Sequence, residues 1–320
     1  MATSPSSRPE AAPSTLRAGV VGVGARARIA RLLEATDPDA RLTAVCDPHP
    51  DLRSRVTRVL ERDPSTLALT TTVDDLISSG VDVAFVTSTD DTHADITCAL
   101  LEAGIAVYVE KPLAVKLDDA TRILEAARRT GSRLYVGHNM RHMGLVRKMR
   151  ELIDGGLIGE VKAIWCRHFI GMGGDAFFKD WHASREHVDS LLIHKATHDF
   201  DALQFLTGAH PARVVASGSL SLYGQVSDRR DRGGQLRWDW SSPENWPPLS
   251  HTGLNPVVDV EDLSMVLLEL DSGIQASYQE CHYTPDNWRN YTVVGTEGRI
   301  ENFGDGPDGV VRLWNKRSGY

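Results

Sequence analysis

The sequence predicts an α/β protein: a doubly wound parallel sheet over the first part of the chain, then an α+β domain whose sheet is largely antiparallel. Three observations carry this. The string Gly22-Val-Gly24-Ala-Arg-Ala27 closes the apolar run 18–23 and leads into a helix-like stretch at 28–35. Short runs rich in Val, Ala and Phe at 18–23, 42–46, 83–87, 106–109 and 134–136 alternate with helical periodicity at 28–35, 52–60, 91–103 and 117–129. Beyond Asn139 the texture changes. After a helix near 145–153 and the turn Gly155-Gly156, strand-like runs at 161–169, 214–222, 264–270, 274–282 and 291–294 dominate, broken by one helical block from about 190 to 206.

Continuous apolar strands separated by helices need cover on both faces, and right-handed crossovers then leave the doubly wound arrangement. In it, the first strand turns tightly into a helix whose N–H groups and dipole favour a pyrophosphate, so Gly22, Gly24, Ala25, Arg26 and Ala27 read as a dinucleotide loop. Twenty-three residues past Gly24 the second strand ends in Asp47. A carboxylate there suits ribose hydroxyls and repels a 2′-phosphate, which favours NAD over NADP; capping of the next helix, with Pro48 at its start, is the alternative. Ligands of this fold bind outside the carboxyl ends of the strands. The polar groups after later strands are therefore site candidates: Thr87-Ser88-Thr89 with His93, Glu110-Lys111-Pro112, and His138-Asn139-Met140-Arg141. Lys111 beside a nicotinamide can hydrogen-bond a substrate hydroxyl and stabilise the alkoxide that develops as hydride leaves. A surface lysine paired with Glu110 is the plainer reading of the same residue.

Length and composition set the frame. At 320 residues the chain is long enough for two cores, and 41% hydrophobic with 24% charged residues is ordinary for a globular protein. A net charge of −8 argues against a nucleic-acid surface. Cys46, Cys98, Cys166 and Cys281 form no C-x-x-C pair, which fits a reducing compartment. Residues 1–16, rich in Ser, Pro and Ala, hold no signal-peptide core and no run long enough to span a bilayer, so they read as a disordered tail on a cytoplasmic protein without membrane attachment.

In the second half, His194, His198 and Asp201 are spaced i, i+4, i+7 and share a helix face, amid apolar Leu191, Leu192, Phe200, Leu203 and Leu206. Three readings stand: a histidine that takes the proton of an alcohol, oriented by a carboxylate such as Asp201; a zinc pair, for which the sequence fixes no third ligand; or structural histidines. We assign no metal. Residues 224–256 form a 33-residue connection with four prolines, three tryptophans and Arg229, Arg230, Arg232 and Arg237, but without apolar periodicity. It reads either as a lid or subunit contact or as a solvated, charge-balanced loop.

From Arg17 to Phe303 the chain resembles the Gfo/Idh/MocA family of oxidoreductases, the glucose–fructose oxidoreductase and inositol dehydrogenase superfamily. The residues that carry the likeness are the glycine loop, His93, Glu110-Lys111-Pro112, Gly137-His138-Asn139-Met140-Arg141, His198-x-x-Asp201 and Val294-Gly295-Thr296-Glu297-Gly298-Arg299. The resemblance implies a Rossmann domain over 17–138, an open-faced sheet domain over 139–320, bound NAD, and redox chemistry at a hydroxyl-bearing carbon of a sugar, cyclitol or glycoside. It places the family's catalytic lysine on Lys111 and its histidine on His198, with Asn139 by the cofactor and Arg141, Trp181 and His182 by the substrate. One departure stands out: many members carry Asp where this chain has His194, followed here by Lys195 and Ala196. The candidate general bases are thus His198, then His194, then His182. Two other functions fit the scaffold: a glycosidase that oxidises its substrate transiently, eliminates, hydrates and re-reduces, and a non-catalytic NAD-binding regulator. The family habit of pairing sheets implies a homodimer or homotetramer, and family members that continue past Tyr320 imply a C-terminally shortened chain.

Overall fold

The computed structural model describes residues 15–317. They divide into two compact units, the residues up to 110 with 121–135, and 111–120 with those from 136 on. The last change of unit falls at 135/136, and Lys111 goes with the second unit. Residues 1–14 of the expected tail lie outside the described residues, and its last residue, Leu16, already opens the first strand.

The first unit is built on six strands, β1 (Leu16–Val21), β2 (Ala40–Cys46), β3 (Ala68–Thr70), β4 (Val83–Val86), β5 (Ala106–Val109) and β6 (Leu134–Val136). They lie in the order β3-β2-β1-β4-β5-β6, and the pairs β2–β3, β1–β2, β1–β4 and β4–β5 are parallel. The order reverses at β1, which puts the carboxyl ends of β1 and β4 at the switch point where doubly wound folds take their ligands. Val20, Val86, Val107 and Val109 are at most 2% exposed, as expected of a sheet covered on both faces. Two short elements were not legible in the sequence: β3, with three residues, and the helix Val73–Ser78.

The second unit carries a seven-stranded sheet of β7 (Val161–Phe169), β8 (Pro211–Ser219), β9 (Leu263–Leu270), β10 (Gln275–Cys281), β11 (Trp288–Gly295), β12 (Arg299–Phe303) and β13 (Val310–Trp314). Its order is β13-β12-β11-β7-β10-β9-β8, antiparallel except for the parallel pair β7–β10. One face is covered by the helices Gly144–Asp154 and Thr197–Thr207 over Ile164, Cys166, Tyr278, Tyr291 and Val293. The other is open: Val215, Leu267 and Met265 are 72%, 63% and 54% exposed. The connection after β8 is held down at several points along its length. Its Tyr223, Val226, Leu236 and Leu254 are buried, and its Trp240 Nε1 donates to the backbone oxygen of Asp175 at 2.9 Å. Among the described residues no helix is long and apolar enough to cross a membrane.

Candidate active site

In the first unit the chain leaves β1 through Gly22, held at φ +85°, a conformation that L side chains avoid. A Cβ at this position would stand 2.5 Å from Ser88 Cα, so the turn is glycine by close approach as well as by dihedral. Gly22 N donates to Cys46 O at 2.8 Å, and its carbonyl accepts from Thr87 Oγ1 at 2.6 Å, which pins the turn to the ends of β2 and β4. Gly24 differs: a Cβ there would meet no atom within 4 Å, so its missing side chain leaves room for a ligand instead of relieving a clash. It precedes the 3-10 helix Ala25–Leu32, which no side chain caps. Ala27 is fully buried, and a larger side chain would push helix from strand.

Asp47 ends β2 with its side chain aimed back at this turn. Its Oδ2 accepts from Val23 N at 2.7 Å, its Oδ1 accepts from His49 N at 2.9 Å, and Arg55 Nη1 lies 3.6 Å away. The carboxylate therefore braces both the glycine turn and the segment that follows, while the next helix, Leu52–Arg55, is preceded by Asp51 and takes no side-chain cap from Asp47. Other expected cofactor residues sit behind the loop. Thr87 and His93 are buried, and His93 Nε2 is 3.3 Å from Ser88 O; Ser88 Oγ accepts from Thr92 Oγ1 at 2.7 Å, and Thr89 starts the short turn before that helix. Glu110, also buried, accepts from Arg26 at 2.5 Å and from Tyr108 at 3.2 Å. Glycines, uncapped helix and carboxylate together fit a dinucleotide.

The second unit gathers Lys111, His182, His194 and His198. Lys111 is buried, and its Nζ donates to His194 O at 2.6 Å, so it is no surface lysine. That carbonyl belongs to a π-helical turn, Leu192–Ala196, which precedes the helix Thr197–Thr207; such turns are often found at functional sites. The ring of His182 stacks on Trp181 at 3.7 Å and meets the His194 ring edge-on at 4.5 Å. Phe177 turns its edge to both, at 5.4 and 5.8 Å. One face of Trp181 is thus already taken by an imidazole.

His198 Nδ1 is buried without a hydrogen-bond partner. Burial first, then the charges of Lys111 and Lys195, hold this histidine well below its ordinary pKa, so the ring is neutral. The orienting carboxylate is not Asp201. That side chain accepts two bonds from Arg141, at 2.8 and 2.5 Å, and lies 3.8 Å from His138 Nδ1. A bidentate guanidinium outcompetes an imidazole three residues along the helix, and it commits Arg141 to the fold. Asn139 is exposed on the 3-10 turn Asn139–His142 of the second unit.

Sequence reasoning missed a buried carboxylate that follows the histidine in the chain and bonds other residues. Asp199, wholly buried, accepts from Tyr291 Oη and lies 3.0 Å from His168 Nδ1 and 3.1 Å from Arg289 Nε. Burial pushes its pKa up, but Arg289, His168 and Tyr291 outweigh that and keep it ionised. Tyr278 Oη stands 3.2 Å from Asp199 Oδ2 and 3.0 Å from Glu280 Oε2, and Glu280 Oε1 is 2.7 Å from His282 Nε2. The available signal was Tyr278, Glu280 and His282 at period two, polar residues on the core-facing side of a strand.

Comparisons with known proteins establish the family and the fold. Residues 16–138 match the family model GFO_IDH_MocA, described as oxidoreductase family, NAD-binding Rossmann fold, and residues 146–301 match the GFO/IDH/MocA C-terminal domain. The 1,5-anhydro-D-fructose reductase of Ensifer adhaerens is 28% identical over 232 residues, covering 72% of this chain and 60% of its own. Inositol 2-dehydrogenase 3 of Saccharopolyspora erythraea is 33% identical over 195 residues, covering 60% and 54%. The chain thus spans between half and two thirds of the length of these relatives. The WlbA dehydrogenase of Bordetella pertussis, solved with NADH and UDP-GlcNAcA, superposes with a TM-score of 0.74 at 18% identity over 96% of this chain and 83% of that one, a likeness of fold.

Proposed function

Because the chain belongs to the Gfo/Idh/MocA oxidoreductase family, we propose that it is an NAD-dependent oxidoreductase moving a hydride between nicotinamide and a hydroxyl-bearing carbon of a sugar, cyclitol or glycoside. The observation that carries the reading is the pairing of a buried lysine with a neutral, unpartnered histidine: Lys111 anchored on the His194 carbonyl, and His198 with its free Nδ1. The nicotinamide, when bound, supplies the hydride acceptor. Lys111 polarises the substrate oxygen and stabilises the developing alkoxide, and His198 exchanges its proton. Negative charge growing on that oxygen offsets the Lys111 and Lys195 charges that keep His198 neutral, so its basicity rises during the reaction. Gly22, Gly24, Ala27 and Asp47 hold the dinucleotide, and Asp47 disfavours a 2′-phosphate. In an Asp47→Ser variant, the ratio of NADP to NAD affinity, read by titration of protein fluorescence, rises ~10-fold; an unchanged ratio removes Asp47 from the ribose.

A second reading, a redox-cycling glycosidase, is favoured by one observation, the edge-on His182–His194 pair, which offers further proton carriers. One experiment separates the two. The full chain with NAD is offered sugars, cyclitols and aryl glycosides while NADH absorbance and released aglycone are followed together. NADH growth alone supports the dehydrogenase, aglycone without NADH supports the glycosidase, and silence in both channels sinks both. We also propose that the open sheet face, with exposed Val215, Met265 and Leu267, pairs with a second copy of the chain and that the protein works in a reducing compartment, its four cysteines being free thiols.

A further inference from the structure

Lys195 is a cation of the second unit to which the proposed reaction assigns no contact with substrate or cofactor. It sits beside His194 on the π-helical turn, partly buried, and the contact its ammonium makes is with the ring of Phe177, 5.6 Å from the centroid. Among the described residues it has neither an ion pair nor a hydrogen bond. The carboxylates whose fields reach it, Asp199 and Glu280, are at most 1% exposed and are taken up elsewhere, the first by Arg289, His168 and Tyr291, the second by His282 and Tyr278. The cations around it, Arg289 and Lys111, repel it. Holding an ammonium in such a place costs free energy that a protein with no use for it loses by a single substitution.

We infer that Lys195 receives a negatively charged substituent of the substrate, and that the substrate class is a carboxylate-bearing sugar, a uronate or aldonate, in preference to its neutral parent. This deepens the oxidoreductase reading and rests on it. The charge count favours a single carboxylate over a phosphate. Arg289, the fork-shaped donor suited to polyanions, is already committed to Asp199 and, at 3.3 Å, to Asp305, which leaves one point charge to be matched. Position agrees as well. Lys195 follows the residue whose carbonyl anchors Lys111 and stands three before His198, so a substrate reaching both catalytic groups lies beside it. Burial and the neighbouring Arg289 and Lys111 bring the Lys195 pKa down to about 7 in the free protein, and an arriving carboxylate reverses that.

The test is isothermal titration calorimetry of the full chain saturated with NAD, using D-glucuronate against D-glucose and D-galacturonate against D-galactose. Parent protein, Lys195→Met and Lys195→Arg are compared. In the parent at least one acid binds ~10-fold or more tighter than its neutral partner, as expected of a desolvated charge pair. In Lys195→Met that ratio falls toward one, and Lys195→Arg restores part of it. The Met variant melts at or above the parent temperature, since it loses an unpaired, partly buried charge. An acid preference retained in Lys195→Met, equal binding of acid and neutral sugars by the parent, or NAD affinity falling as much as acid affinity each overturns the inference. NADH formed equally from acids and neutral sugars sinks it while the oxidoreductase reading stands; silence of all four sugars in both binding and NADH formation sinks both.

Discussion

The glycine turn of the first unit and the histidine cluster of the second both hold polar groups in fixed places, but they are made of different materials. The turn is made of backbone and of absent side chains: Gly22 is glycine because Ser88 leaves no room, while at Gly24 an added Cβ would meet no protein atom within 4 Å. The cluster is made of side chains brought from four separate stretches of sequence, Lys111, His182 with His194 and His198, His168, and Arg289, and much of it is buried. A backbone device is local, so it is compact in the sequence and intolerant of added atoms. A side-chain device is distributed, so it is hidden in the sequence and intolerant of lost charge.

That contrast is breakable. The largest effect belongs to Lys111→Met, which lowers kcat by ~10³-fold or more by removing the oxyanion-stabilising cation while the melting point stays close to the parent's; a kcat within 10-fold of the parent excludes Lys111 from the chemistry. Next comes Asp199→Ala, which leaves the Arg289 guanidinium buried without its carboxylate and costs ~3–5 kcal/mol in urea unfolding. A loss below ~1 kcal/mol would show that the network carries little of the fold.

The two glycines sharpen the comparison. Gly22→Ala loses ~2–4 kcal/mol of stability through clash and a positive φ. Gly24→Ala folds as the parent does but binds NAD ~10-fold more weakly, because its new methyl group occupies space that no protein atom fills. Unweakened NAD binding by Gly24→Ala would place the pyrophosphate elsewhere.

The last effect is one of pH, spread over several groups. His168, His182 and His198 are each held below their ordinary value of 6.5, with burial the first cause in every case. Below about that pH the unfolded chain takes up protons that the folded chain refuses, so stability falls as pH drops, by up to ~1.4 kcal/mol per pH unit for each such histidine. Asp199 acts in the same direction only below its ordinary 3.8. Denaturation midpoints therefore fall a little from pH 8 to 7, where Lys195 with its pKa of about 7 is the group that contributes, and more steeply between 6 and 5, where the histidines do; a flat profile from 7 to 5 would mean these rings are charged in the fold.

What the sequence revealed follows the same division. Periodicity located β5, β6 and β7 to the residue and the other strands of the parallel sheet within two or three, except three-residue β3, too short for a period to show. β12 and β13 went unread because each has only five residues and no clean period of two, with Phe303, Val310 and Trp314 out of step with Ile300, Val311 and Leu313. The glycine turn was legible because its parts are neighbours. Asp201 misled because helix spacing ranks it beside His198, and only the fold brings Arg141 to claim it. Asp199, adjacent to His198 in the sequence, gave no sign of its role, since its partners lie on β7, β10 and β11.

The short segment 111–120, grouped with the second unit though it interrupts the first, has a consequence for anyone who divides the gene. The chain passes from one unit to the other at 110/111, 120/121 and 135/136, so neither is a single uninterrupted piece. No one breakpoint yields both intact: a fragment ending at Tyr135 carries Lys111 away from the His194 carbonyl that holds it. Complementation between separately expressed halves would then have to rebuild that bond between molecules, and a protease needs more than one nick to part the two.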